Sequence, residues 1–245
     1  MMRILVSVQD EAEALAAATH GADFIDCKEP ANGALGGLPP PTIRRIVAAL
    51  REAGHAHAVS ATIGDWPMHA LQAIVDNVHA VAATGADIVK VGIEREPSAF
   101  AVIDALRAID HPIVPVFIAD RGLDFDLVGH AAAQGFEGLM VDTADKHAGS
   151  LFDVLPLPVL QRFVERARAP GVLVGMAGAL EARHAAALQA LAPDFAGFRS
   201  AVCDGGRDGA LVPARLAALA QALRTPASAG RPAAASARAP APNAG

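Results

Sequence analysis

One pattern recurs four times along the chain: a helix stop, mostly at glycine, then an acidic residue, then a short apolar strand. It reads HGADFIDCK (20–28), TGADIVKVG (84–92), QGFEGLMVD (134–142) and LAPDFAGFRS (191–200). Similar apolar runs lie between these four, at RILVSV (3–8), HAVSATIG (57–64), PIVPVFIA (112–119) and VLVGMAG (172–178). Each strand is followed by a stretch with helical character, near 10–21, from Thr42 onward, and over 68–84, 97–109, 124–134, 157–168, 179–191 and 208–223. Strands buried on both faces read as near-continuous apolar runs, and strands alternating with helices imply parallel crossovers. Eight such pairs predict an α/β fold, a single (β/α)8 TIM barrel over residues 1–224, with an open doubly wound sheet as the structural alternative. The remainder, 225–245, is rich in proline, alanine and serine without apolar periodicity, and is expected to be a disordered tail.

Composition narrows the function. The chain has 245 residues, 53% hydrophobic and 19% charged, enough for one large core. A net charge of −6 and an aromatic share of 4% give neither the basic footprint nor the stacking platform of a nucleic-acid binder. No apolar run approaches the ~18 residues of a membrane span, and the first residues lack the long apolar core of a signal peptide. Cys27 and Cys203 have no metal or disulfide spacing. The expectation is a cytoplasmic protein in a reducing compartment, with no membrane or nucleic-acid partner. GxGxxG after the first strand and GxxxxGK[ST] are both missing, so dinucleotide and nucleotide sites find no support. His55 and His57 fall at the N-terminal entry of the third strand, a poor place for a metal site, and no metal or other cofactor is expected.

Lysine usage carries the chemistry. Of 20 basic residues only Lys28, Lys90 and Lys146 are lysine, so each needs a reason that arginine would not satisfy. All three fall at or just past the C-terminal ends of predicted strands, where barrels carry their reactive groups. Side chains two apart on a strand share a face. Aligning the four repeats on the helix stop sets Lys28, Gly92, Asp142 and Arg199 at one level, with Asp26, Lys90, Met140 and Gly197 one layer deeper. Lys28 is read as a Schiff-base nucleophile and Lys90 as its acid/base partner. A free ammonium has a pKa of about 10.4, so the site must lower it, and a second ammonium in an apolar mouth would do so by repulsion and desolvation. Asp26 is placed to shuttle protons or hold one ammonium. The plainer alternative is that buried lysines only pair with carboxylates, Asp142 included. Lys146, in the polar loop DTADKHAG (142–149), equally suits a solvated role.

Phosphate recognition is expected from the loops after strands seven and eight, GMAGAL (175–180) and FRSAVCDGGRDG (198–209). Gly178, Ser200, Gly205 and Gly206 would let backbone approach the anion, and Arg199 and Arg207 would neutralise it. Ser60 and Thr62 share a face and are candidates to hydrogen-bond substrate, or only to cap neighbouring groups.

Taken together and in order, LVSV, DCKEPANGALG (26–36), SATIGD (60–65), ADIVKVG, VDTADKHAG (141–149), MAGAL (176–180) and FRSAVCDGGR (198–207) resemble the (5-formylfuran-3-yl)methyl phosphate synthases of methanofuran biosynthesis, also called 4-(hydroxymethyl)-2-furancarboxaldehyde-phosphate synthases. The resemblance spans about residues 3–220. It implies a barrel lyase that condenses two molecules of glyceraldehyde 3-phosphate into a phosphorylated furan aldehyde, losing phosphate and water. By motif, Lys28 takes the Schiff-base position, Lys90 the proton acceptor, and Asp26, Asp142 and Lys146 supporting positions. The resemblance also implies a homo-oligomer. This sequence departs in reading DGGR where archaeal-looking members read GGDR. Two rivals stand beside this reading: a generic class I aldolase acting on a sugar phosphate, and a non-catalytic phosphate-binding barrel.

Overall fold

The computed structural model describes residues 2–145 and 149–225. Lys146 and the segment 226–245 lie outside the described residues, so the expectations about that lysine and the tail have no structural counterpart here. Eight parallel strands hydrogen-bond in chain order: β1 (Arg3–Val8), β2 (Phe24–Cys27), β3 (Ala58–Thr62), β4 (Ile88–Ile93), β5 (Ile113–Ile118), β6 (Gly138–Asp142), β7 (Leu173–Met176) and β8 (Phe195–Phe198). β8 pairs back onto β1, with Arg3 opposite Phe195, so the sheet closes into a barrel and the open-sheet alternative falls.

Around it run α1 (Glu11–Thr19), α2 (Pro40–Glu52), α3 (Leu71–Ala82), α4 (Ala99–Arg107), α5 (Phe125–Gln134), α6 (Leu151–Val154), α7 (Leu157–Ala167), α8 (Ala185–Leu191) and α9 (Pro213–Arg224). Their ends follow local chemistry. Asp10 and Asp124 accept backbone N–H bonds in the first turns of α1 and α5, and prolines open α2, α7 and α9, where no intrahelical donor is needed. Three stops read from the sequence, Gly21, Gly85 and Gly135, adopt positive φ, and at the fourth Ala192 does so at 51°.

Three of the four recurrent acids share a structural task. Asp23 accepts the N–H of Ile4, Asp87 that of Val59, and Asp194 that of Val174, each at 2.7–2.8 Å. Each carboxylate thus satisfies the first amides of the preceding strand at the barrel's N-terminal face.

Strand alternation separates two cores. Ile4, Val6 and Val8 point outward into the layer shared with the helices, while Leu5 points inward with Val114, Val116, Met140 and Phe195. Differences from the sequence expectation lie past β6, β7 and β8. A four-residue α6 precedes α7, and the helix expected over 179–191 opens as a 3₁₀ turn at Ala182–His184. The last helix starts at Pro213 rather than 208, because Cys203 bridges to Leu211 and Val212 N–H bonds the Val202 carbonyl, making 203–212 a closed turn.

Candidate active site

Four charged side chains from three strands meet at the C-terminal mouth of the barrel. Asp26 lies in β2, Lys28 immediately after it, Lys90 in β4 and Asp142 at the end of β6. Lys90 Nζ donates to Asp26 Oδ2 at 2.8 Å, and Lys28 Nζ donates to Asp142 Oδ2 at 3.1 Å. All four are buried, Asp26 completely; Lys90 is 3% and Lys28 8% exposed. Alternation along β2 sends Cys27 the opposite way, into the helix-facing core, where burial, with Asp26 adding to it, pushes its thiol far above its ordinary range. Cys27 is therefore no rival nucleophile. Together the four charges line a cavity of about 790 Å³, counting space open to solvent, with Ser7, Met140, Gly178, Ser200 and Arg207 among the other lining residues. The sequence left open either one ammonium pressing on another or each lysine held by a carboxylate. The structure gives each ammonium its own carboxylate, so a proton leaving either lysine has an acceptor already in place.

The β2–α2 loop covers one side of the mouth. Leu35, fully buried, packs with Val116, Ile118 and Met140 inside the barrel, and its N–H bonds Asp65 Oδ1 at 3.0 Å. Leu35 also explains Gly92, where an added Cβ would lie 3.0 Å from the leucine methyl. Thr62 Oγ1 donates to the Gly36 carbonyl at 2.8 Å and Arg207 Nη2 to the Gly33 carbonyl at 3.0 Å, so strand three and the β8 loop both hold this cover down. A Cβ at Gly36 would come within 2.3 Å of the carbonyl oxygens of Glu29 and Asn32. Gly36→Ala is expected to spring the loop and cost about 1–3 kcal/mol of stability. Faster proteolytic cleavage between residues 29 and 39 and a lower melting temperature would register this.

The expected phosphate residues divide. Gly178, with φ of 112°, lines the cavity and lies so close to the Thr143 side chain (2.8 Å for an added Cβ) that only glycine fits. Ser200 opens a 3₁₀ turn (Ser200–Val202) at the cavity edge, and Ala179 beside Gly178 holds a left-handed φ of 45°. Arg207 also lines the cavity. Desolvation lowers its pKa from the ordinary value, with the carboxylates of Asp208, 3.9 Å away, and Asp142 opposing. Arginine stays charged regardless, and so partly compensated a cation beside a cavity favours an anionic ligand.

Five other candidates have partners or places of their own within the protein. Arg199 points to Glu13, with further bonds to Gln9 Oε1 and to the carbonyls of Ser7, Arg207 and Gly209. Arg199 lines the same cavity, but its donors are engaged within the protein, leaving none for phosphate. Thr62 is fully buried and tied to Gly36, and Ser60 donates to Asp26 Oδ1 at 2.7 Å; neither lines this cavity. Gly205 and Gly206 sit with positive φ in the turn after β8, also away from the cavity lining. Conversely, the sequence reading passed over Ser7, whose hydroxyl donates to Asp26 Oδ2 at 3.1 Å, and Leu35. Ser7 had one visible signal, a polar residue inside an apolar strand.

Among the described residues no cluster of His, Cys, Asp or Glu is arranged to hold a metal, and no helix is long and apolar enough to cross a membrane.

Fold and site together define a (β/α)8-barrel protein with a paired lysine–carboxylate centre at its C-terminal mouth. Solved structures agree on the barrel: phosphoribosyl anthranilate isomerase from Thermotoga maritima superposes with a TM-score of 0.64 at 14% identity, and that from Thermus thermophilus with 0.62 at 17%, each over 91% of this chain and 98% of the other. At such identity the likeness concerns the fold alone. Sequence comparison is more specific. The model of the 4-HFC-P synthase family matches residues 4–220. The (5-formylfuran-3-yl)methyl phosphate synthase of Archaeoglobus fulgidus is 36% identical over 84% of this chain and 92% of its own length. That of Methanothermobacter thermautotrophicus is 33% identical over 84% and 91%. A Methylorubrum extorquens protein provisionally given the same name is 37% identical over 91% and 92%. The chain belongs to the 4-HFC-P synthase family.

Proposed function

We propose that this protein is a lyase that condenses two molecules of glyceraldehyde 3-phosphate into (5-formylfuran-3-yl)methyl phosphate through a Schiff base on Lys28, supplying a methanofuran- or methylofuran-type cofactor pathway. The observation that supports this best is the pairing of Lys28 with Asp142 and of Lys90 with Asp26 around one cavity. Lys28 Nζ passes a proton to Asp142 and adds to the triose aldehyde carbon. The carbinolamine hydroxyl leaves as water with the proton that Asp142 holds, giving an iminium. Lys90, a neutral amine once its own proton has passed to Asp26, takes the α-proton, and the C–H electron pair becomes the enamine. That enamine expels phosphate from the neighbouring carbon or attacks the second aldehyde. Ring closure completes the furan; in all, one phosphate and two waters leave. No metal or organic cofactor enters these steps, and the same reading makes the protein a cytoplasmic homo-oligomer.

Incubation with glyceraldehyde 3-phosphate should yield a furan chromophore, and borohydride should fix a triose adduct on Lys28, located by mass spectrometry. A reversible aldol product without a furan would return the generic aldolase; phosphate-ester binding without an adduct would return the non-catalytic barrel.

Arg207 is the phosphate cation in this reading. Arg207→Ala is expected to raise KM for glyceraldehyde 3-phosphate about 10- to 100-fold, from loss of a charge-assisted bond worth about 1.5–3 kcal/mol. Adduct formation with unphosphorylated glyceraldehyde, assayed in parallel, should change little.

A further inference from the structure

We propose that Ser60, with Ser7 on the other side of Asp26, is a positioning residue that aims the Lys90 amine by fixing the Asp26 carboxylate, an inference resting on the acid/base role given to Lys90 above. Ser7, Asp26 and Ser60 are direct lateral neighbours in the register of β1, β2 and β3. The row converges on a single carboxylate: Ser60 donates to Oδ1 at 2.7 Å, Ser7 to Oδ2 at 3.1 Å, and Lys90 to the same Oδ2 at 2.8 Å. The Ser60 hydroxyl also lies 3.4 Å from the Ile25 carbonyl, but its one hydrogen serves the far shorter contact. Among the described residues Oδ1 accepts from Ser60 alone.

What lies beneath the pair makes the hydroxyl necessary. On the N-terminal side of Lys90 and Ser60 is a second cavity of about 510 Å³, counting space open to solvent, walled mostly by apolar groups such as Leu5, Phe24, Ile88, Val114 and Phe195, with Glu137 also in its lining. Barrel interiors are ordinarily filled by layers of side chains. Here the interior beneath the lysine stem is left open, so the orientation of the carboxylate is set by its hydrogen bonds. Remove the Ser60 hydroxyl and Asp26 loses its Oδ1 partner, leaving only Ser7 and Lys90 on Oδ2, so the carboxylate plane can turn about its last torsion and carry the Lys90 amine with it. Ser60 does not line the upper cavity, so it acts through Asp26 and not on substrate.

Three replacements separate hydrogen bonding from volume. Ser60→Ala and Ser60→Val, which lack the hydroxyl with and without loss of volume, should both lower kcat about 10- to 100-fold, the scale of a reacting group misplaced by an ångström, with KM little changed. Ser60→Thr, which keeps the hydroxyl, should restore most of it. Borohydride trapping at Lys28 should persist in all three, while exchange of the triose α-proton with deuterated solvent falls in step with kcat. Trapping lost together with exchange, or Ser60→Val as active as the parent, would overturn the proposal. A second measurement does not depend on the reaction. The chain has three lysines, so protein labelled with ¹³C at lysine Cε gives three side-chain signals, the Lys90 signal being assigned from Lys90→Arg. Ser60→Ala and Ser60→Val should move or broaden the Lys90 signal and leave the Lys28 signal in place. An unmoved Lys90 signal refutes the positioning role. A moved signal in a protein whose parent forms no furan refutes instead the function proposed above.

Discussion

Lys28→Arg should leave the barrel folded and lower furan formation on the order of 10,000-fold or more, the scale seen when a covalent nucleophile is removed. Arginine preserves the positive charge opposite Asp142, now 3.1 Å from the lysine nitrogen, and the open cavity beside it accommodates the larger head. The guanidinium does not deprotonate in a protein and forms no imine with an aldehyde. Alanine would be the poorer choice, because it strips the cation from a buried carboxylate and confounds activity with stability. The variant should melt near the parent temperature and give no borohydride adduct. Lys90→Arg should behave differently, trapping triose on Lys28 while failing to release product. An adduct that survives Lys28→Arg would move the nucleophile to another lysine.

Much of this centre was legible because barrel geometry is periodic. Side-chain alternation and the repeated helix stop set Lys28, Asp142 and Arg199 on one level and Asp26 and Lys90 below, and the buried ion pairs join residues 114 and 64 positions apart. Periodicity fixes level, not partner. Arg199 stood at the right level for phosphate, yet its guanidinium is captured by Glu13, 186 positions away on the inner face of α1. Nothing in EAEALAAAT marks that glutamate as buried. Gly92 was likewise placed correctly without a reason, since Leu35, which fills its missing side chain, comes from an irregular loop. Ser7 and Ser60 were visible as polar residues in apolar strands, but their common target appears only once the register sets Asp26 between them. The recurrent acids show the same boundary. Their spacing was plain, whereas their bonds to the preceding strand exist only in the closed sheet.

Arg199→Ala is expected to destabilise the protein by about 3–5 kcal/mol, the cost of leaving a buried charge without its partner. For a chain of this length that corresponds to a fall of roughly 6–20 °C in melting temperature. Glu13 is buried and already accepts the N–H groups of Gln9 and Leu211, both at 3.0 Å, so its carboxylate has no route to water when the arginine is gone. The guanidinium also joins the end of β8 to β1 through the Ser7 carbonyl and to the 203–212 turn through the Arg207 and Gly209 carbonyls. Lysine has three donors on a flexible stem where arginine has five in a plane, so Arg199→Lys should recover only a minor part of the loss. A thermal melt of Glu13→Gln, Arg199→Ala and the double variant measures the coupling directly, and the double variant should be less destabilised than the sum of the two. Because Arg199 holds the Arg207 carbonyl, some rise in KM accompanies the lost stability. A parental melting temperature together with a raised KM would instead return Arg199 to the phosphate site.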